Sequence, residues 1–320
     1  MIQRPPFPVR PWNLLGALGF CAAAVSLAGF LGTWTWWLEI LSHFRAQYAA
    51  GFLLLAGLFA LGRRWRGASG ALAMALVNAL PIALFLLPPA PPPPAASAPV
   101  RAMLLNVNSS RGDPVRVAAA VAAANPDLLV LEEINVRWLR ELAPVLDAYP
   151  FQKTVPRFDN FGIGLFSRLP FGSVAVEPFG DFDVPSIFAE IAVEGRPLFL
   201  VATHPMPPGN ALLAAERNRQ LEWIARKTAA LPHPVLLLGD LNVSPWSPYY
   251  RRLLETSRLR DSAQGRSIRP TWPAPLPPLW IQLDHALHTP ELAVLSRSVG
   301  PDVGSDHYPL LLDFAWPVDP

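Results

Sequence analysis

Apolar residues are spread along this chain in two different ways, and the contrast divides it before any motif is considered. Up to Leu87 they form long runs, Leu14 to Leu38, Ala46 to Gly62 and Gly67 to Leu87, with only seven charged residues in the first 100. A hydrocarbon core is crossed by about 20 apolar residues, so these runs predict three transmembrane helices. From position 101 the runs shorten to strand length: Met103 to Val107, Leu128 to Leu131, Gly162 to Phe166, Phe188 to Val193, Leu198 to Ala202, Val235 to Leu238, Leu283 to Leu287 and Tyr308 to Phe314. Between them Val115 to Ala124, Val136 to Leu146, Leu212 to Ala230 and Pro248 to Leu254 have helical spacing, so the second part reads as a mixed α/β domain.

The boundary is marked by proline. Seven prolines fall between Pro88 and Pro99, a composition that stops a helix and favours an extended polyproline II spacer. The expected division is a membrane domain with three transmembrane helices at 1–87, a Pro-rich linker at 88–100 and an α/β domain at 101–320. Arg4 and Arg10 precede the first run, and Arg63, Arg64 and Arg66 fill the loop after the second. The positive-inside bias therefore puts the N-terminus and that loop in the cytoplasm, and everything after Leu87 outside it.

Charge and cysteine content narrow the partners. The first hundred residues carry a net +5 and the remainder −3, so the α/β domain lacks the excess of basic residues that broad binding to nucleic-acid phosphates requires. Cys21 is the only cysteine and lies in the first apolar run, which leaves the α/β domain without disulfides or thiolate metal ligands.

Candidate chemistry sits where strong apolar strands run into polar clusters: LLNVNSS at 104–110, LLVLEEIN at 128–135, FLVATHP at 199–205, LLLGDLNVSP at 236–245, LDHALHT at 283–289 and GSDHYPLLLDF at 304–314. Strand ends on one sheet edge converge although distant in sequence. The clusters hold Asn, Glu, Asp and His, with no nucleophilic Ser or Cys in a recognisable frame and no cofactor loop. Such groups suit hard-metal binding and proton transfer. Asn106 and Asn108 share a face if the strand is regular, and His285 then points away from Asp284.

Taken in order, N-x-N, L-x-E, T-H, G-D-L-N, L-D-H and S-D-H resemble the endonuclease/exonuclease/phosphatase superfamily, with its deoxyribonuclease I-like fold, over essentially all of 101–320. The three preceding spans make the chain most similar to the superfamily's membrane-anchored bacterial branch. The resemblance implies an α/β fold, a four-layer αββα sandwich, preceded here by three transmembrane helices. It also implies phosphodiester or phosphomonoester hydrolysis by direct water attack, dependent on Mg²⁺ or Mn²⁺, in an integral protein of a bacterial inner membrane with its catalytic domain extracytoplasmic.

By the same resemblance Glu133, Asn106 and Asp306 form the metal site, Asp240 orients or deprotonates the water, and Asn242 donates to a phosphate oxygen. His307 stabilises charge or protonates the leaving oxygen, Asp284 fixes its tautomer, and His204 touches phosphate or assists proton transfer. Glu132 stands where relatives usually have Gln and reads as a helix cap. Asn108 stands where many have Asp, so a second ligand there is undecided. The expected partners are the bilayer and a phosphate-ester substrate, with nucleic acid, lipid and small-molecule esters all open. A catalytically silent membrane-bound module that binds a phosphorylated ligand or partner is the alternative.

Overall fold

In the computed structural model the described residues are 11–88, 97–232 and 234–317. Most of the Pro-rich linker, together with Arg4 and Arg10, lies outside them. Contacts divide the chain into two units, Met1–Phe85 and Leu86–Pro320.

The first unit consists of α1 (Pro11–Ala28), α2 (Trp36–Ser42), α3 (Arg45–Leu61) and α4 (Trp65–Phe85). Among the described residues, Pro11–Leu31 and Trp65–Phe85 are long and apolar enough to cross a membrane, and α2 with α3, bent by 61°, passes only as one broken span. The first run therefore ends earlier than its hydropathy predicts. After a 3-10 turn at Gly29–Leu31 the chain leaves helical geometry, and Thr35 is extended before α2. Gly32 and the β-branched Thr33 and Thr35 disfavour continuation. One buried polar knot ties three helices. Arg45 Nη1 donates to Ser26 O at 2.8 Å and Asn78 Oδ1 at 3.0 Å, and Asn78 Nδ2 donates to Ser26 Oγ at 3.3 Å. In an apolar surrounding such groups persist only when paired.

The second unit is built on β1 (Val100–Asn106), α5 (Pro114–Ala124), β2 (Leu128–Glu132), α6 (Val136–Leu146), β3 (Phe151–Val155), β4 (Ile163–Ser167), β5 (Phe171–Phe179), β6 (Val184–Val193), β7 (Arg196–Thr203), α7 (Ala211–Ala229), β8 (Val235–Asp240), α8 (Pro248–Ser257), β9 (Arg260–Asp261), β10 (Asp284–His288), β11 (Ala293–Val299) and β12 (Leu310–Ala315). Two six-stranded sheets, ordered β11-β12-β1-β2-β4-β3 and β5-β6-β7-β8-β10-β9, pack face to face. On β1, Ala102 and Leu104 point into the core between the sheets, while Met103 and Leu105 meet Val117, Val121, Trp138 and Leu142 of α5 and α6. On β8, Leu236 and Leu238 point inward while Leu237 meets Leu221 and Ile224 of α7 and Leu253 of α8. Burial on both faces is why these strands read as continuous apolar runs rather than alternating ones. The result is the expected αββα sandwich.

Each sheet contains one parallel pair, β1 with β2 through α5 and β7 with β8 through α7. Parallel pairing sends the C-terminal ends of both partners to the same edge. Asn106 stands opposite Glu132 in the first sheet, and Asp240 stands opposite Asp284 on the antiparallel β10 in the second. This topology brings the polar clusters together. Gly239 permits close packing there, because a Cβ would lie 2.0 Å from Thr203 O.

Candidate active site

Asp240, at the end of β8, is the hub. It is buried, and its Oδ2 lies 3.5 Å from Nε2 of both His204 and His307. Oδ1 accepts the Asn242 N–H at 3.0 Å, and Asn106 Nδ2 approaches Oδ2 at 3.3 Å. Burial, opposed in part by the His307 charge, pushes the Asp240 pKa up to about 7.

His307 Nδ1 pairs with Asp284 Oδ2 at 2.8 Å. Burial disfavours its charge, but Asp284 and Asp240 beside it raise its pKa to about 10, so the ring is an imidazolium at neutral pH. Burial likewise works against the Asp284 carboxylate, yet the His307 charge and hydrogen bond leave its pKa lowered. Ser305 locks the loop by donating to Asn106 O at 2.7 Å and accepting the His307 N–H at 3.0 Å. Burial and the His307 charge lower the His204 pKa to about 4, which leaves that ring neutral. Phe161 packs on it with centroids 5.6 Å apart. Asp159 is paired with Arg157.

The two acids after β2 separate sharply. Glu133 has a left-handed φ of 60°, which turns it out of the strand's alternation. Its Oε1 accepts Asn106 Nδ2 at 3.0 Å and its Oε2 accepts the Ser109 N–H at 3.1 Å. Glu132 stays in the strand and accepts the Asp240 N–H at 3.0 Å, joining the two sheets. Asn135, not Glu132, caps α6. Burial above all, with Asp240 and Asp284 adding to it, holds the Glu132 pKa well above the usual carboxylate range, which favours the neutral acid.

A pH test of stability follows from this. Glu132 binds its proton more tightly in the folded chain, so it costs stability as pH rises above the unfolded value of about 4.3. Glu132→Gln is expected to melt about 3 °C or more above the wild type at pH 8 and equally at pH 4. Circular dichroism in detergent reads the difference, and a wild type more stable than the variant at pH 8 contradicts a neutral Glu132.

Asp240, Asp284 and His307 offer ligand atoms within 4.8 Å of one another. His307 is hydrogen-bonded to Asp284 and faces Asp240 at 3.5 Å, which makes the trio a charge-paired triad more than a cation cradle. Glu133 suits a hard cation better. Among the described residues no lysine or arginine pairs with it, burial raises its pKa, and Asp306 lies within electrostatic reach. Asp306 Oδ1 accepts Asn108 Nδ2 at 2.7 Å and its Oδ2 accepts Trp272 Nε1 at 3.1 Å. Asn106 donates to Glu133 and Asp240 while its Oδ1 accepts the Asn108 N–H at 3.0 Å, so its amide spaces the carboxylates.

Asn242, at a left-handed φ of 50°, donates through Nδ2 to Pro205 O at 2.9 Å. The motifs assign no role to Arg217 of α7. It is fully buried, and its Nη1 donates to Asn242 O at 2.8 Å, fastening the G-D-L-N turn. Its spacing with Ala214, Leu221 and Ile224 marks the buried face of α7, but that pattern does not identify Asn242 O as its partner. Thr271 was also missed; its Oγ1 accepts the Asp284 N–H at 3.1 Å. His285 points away from the triad and pairs with Val243 O at 2.8 Å.

Residues 103–307 match the family described as Endonuclease/Exonuclease/phosphatase family. No curated protein sequence matches the chain. Among solved structures, an endonuclease/exonuclease/phosphatase from Beutenbergia cavernae is 22% identical with a TM-score of 0.57, covering 69% of this chain and 72% of that one. TDP2 of D. rerio, complexed with single strand DNA product, is 17% identical with a TM-score of 0.58, covering 68% and 99%. Sphingomyelinase C from Streptomyces griseocarneus is 20% identical with a TM-score of 0.52, covering 68% and 100%. Identities this low carry the shared fold alone.

Proposed function

The chain belongs to the endonuclease/exonuclease/phosphatase family, a family of hydrolases, and from that premise we propose that it is a membrane-anchored, divalent-metal-dependent phosphoesterase in which water attacks phosphorus directly. The observation that carries the reading is Asp240 Oδ2 placed 3.5 Å from both His204 and His307, with Glu133 joined to the same carboxylate through Asn106.

Asp240, with a pKa near the working pH, takes the proton of the attacking water as its oxygen adds to phosphorus. The His307 imidazolium, held by Asp284, donates to the phosphoryl oxygens and gives its proton to the leaving alcohol oxygen as the phosphorus–oxygen bond breaks. Neutral His204, beside the same Asp240 oxygen, donates a hydrogen bond to a phosphoryl oxygen. Glu133 and Asp306 would hold the ion, with Asn106 spacing Glu133 from Asp240. A bound Mg²⁺ or Mn²⁺ supplies Lewis-acid polarisation of the phosphoryl group. No covalent enzyme intermediate is required, since no nucleophilic side chain belongs to the constellation.

For location, the reading is a membrane domain at 1–87, a linker at 88–100 and a catalytic domain at 101–320. Arg63 and Arg64 before α4 and Arg66 in its first turn support a cytoplasmic face there, and hence an extracytoplasmic catalytic domain at a bacterial inner membrane. The experiment is hydrolysis by the purified full chain in detergent, with a soluble diester, a monoester, plasmid DNA and a phospholipid, each with Mg²⁺, Mn²⁺ or chelator. Turnover that a chelator abolishes and metal restores is expected. Chelator-resistant turnover refutes the metal dependence, and a folded, metal-binding chain without turnover on any ester indicates the silent module.

A further inference from the structure

The stretch Pro270–Leu283, between β9 and β10, contains no charged residue. Within it Pro275, Leu276, Pro277, Pro278 and Leu279 are all exposed, Leu276 at 51% and Leu279 at 45%. Three prolines and a 3-10 turn at Pro277–Leu279 restrict this tip, so it cannot readily fold its leucines back. Its base is fastened to the site. Trp272 Nε1 donates to Asp306 Oδ2 at 3.1 Å, the Ala274 N–H donates to Asp306 O at 2.7 Å, and Trp280 packs edge-on against Tyr308.

A second apolar prominence is rooted at His204. Phe158 is 94% exposed and precedes Asn160, which accepts from Ser109 Oγ at 2.8 Å, and Phe161, which packs on the His204 ring. Arg157 reaches Asp183 O at 3.1 Å, tying this loop to the turn that carries the partly exposed Phe182. The chain thus presents bulky apolar tips at both roots of its catalytic constellation.

We propose that the Pro275–Leu279 tip and Phe158 enter the interfacial layer of a phospholipid bilayer, so that the phosphate ester reaching Asp240 and His307 belongs to a lipid. The inference rests on the phosphoesterase reading above. Six exposed residues are far fewer than the roughly 20–30 per side of a stable protein interface, whereas a few apolar side chains suffice for interfacial insertion. The net charge of −3 after position 100 gives a nucleic-acid polyanion no general attraction. The apolar helices of the first unit supply a nearby bilayer through covalent continuity.

The test uses the full chain in nanodiscs of phosphatidylcholine, phosphatidylglycerol and sphingomyelin, with lipid hydrolysis read by phosphorus NMR and bis(p-nitrophenyl) phosphate as the soluble diester. Leu276→Glu, Leu279→Glu and Phe158→Glu are each expected to lower lipid turnover about tenfold or more and soluble-diester turnover less than about twofold. A fluorophore on Leu276→Cys, in a Cys21→Ser background, is expected to be quenched by doxyl-labelled lipid, and one on Val115→Cys is not. Parallel loss of both activities, no lipid turnover beside active diester hydrolysis, or an unquenched Leu276 probe overturns the inference. So does a Leu276→Glu variant that changes only the oligomer size, which assigns the tip to a second copy. Failure of the wild type on both substrates, and on the monoester and plasmid DNA as well, refutes instead the phosphoesterase reading, while the quenching arm still decides insertion.

Discussion

Replacing Asp240 by Asn is expected to lower kcat on a soluble diester by about 10²–10⁴-fold, the range that a positioned general base contributes, with little change in KM. Asn keeps the shape of the carboxylate and an oxygen for the Asn242 N–H, which Asp240 now accepts at 3.0 Å, but it cannot take a proton from water. The pH profile adds a second readout. In the wild type, activity rises as the triad loses a proton near the Asp240 value of about 7 and falls as it loses another near the His307 value of about 10. The lower limb disappears in Asp240→Asn. A melting curve distinguishes lost chemistry from lost folding, and a variant with near wild-type kcat removes Asp240 from the proposed role.

Glu133→Gln carries the second large effect. The concentration of Mn²⁺ giving half-maximal activity is expected to rise at least about tenfold, since even residues behind metal ligands cost 10–100-fold. Direct titration of Mn²⁺, followed by electron paramagnetic resonance, measures the same shift without reference to turnover. The neighbouring Glu132→Gln supplies the control, because that carboxyl is buried against the Asp240 backbone and already neutral. Equal metal affinity in wild type and Glu133→Gln moves the ion away from Glu133.

The contrast between these adjacent acids measures how much was legible beforehand. The two motifs L-x-E and G-D-L-N identify the strand ends, and the apolar runs before them reflect strands covered on both faces. The side-chain partners are another matter. Glu132 and Asp240 are on different sheets, and nothing in either local segment indicates that one accepts the other's N–H. Arg217 is similar: its spacing with Ala214, Leu221 and Ile224 puts it on the buried face of α7, but nothing in that helix says that its guanidinium meets the carbonyl of Asn242 in the G-D-L-N turn. Edge strands were the weakest part of the fold reading. Phe171–Phe179 and Ala293–Val299 have mixed burial, so their apolar pattern is diluted by exposed positions.

The first unit shows the same division. Composition alone determines that its residues are too apolar for an ordinary solvated surface, because that property is a sum over positions. Where the first helix stops depends on Gly32 and Thr35 and on the packing of α2, which a hydropathy average does not resolve.

By itself, then, the sequence determined the α/β class and the family, and it pointed to the candidate site residues, since each of these is written in local pattern and motif order. The tertiary structure decided which acid faces the site and which faces the core. It also decided that a single carboxylate, Asp240, lies 3.5 Å from both histidines. Hydrophobic periodicity specifies faces and ends of elements, whereas distances across two packed sheets follow from strand register and crossover topology, which no single segment encodes.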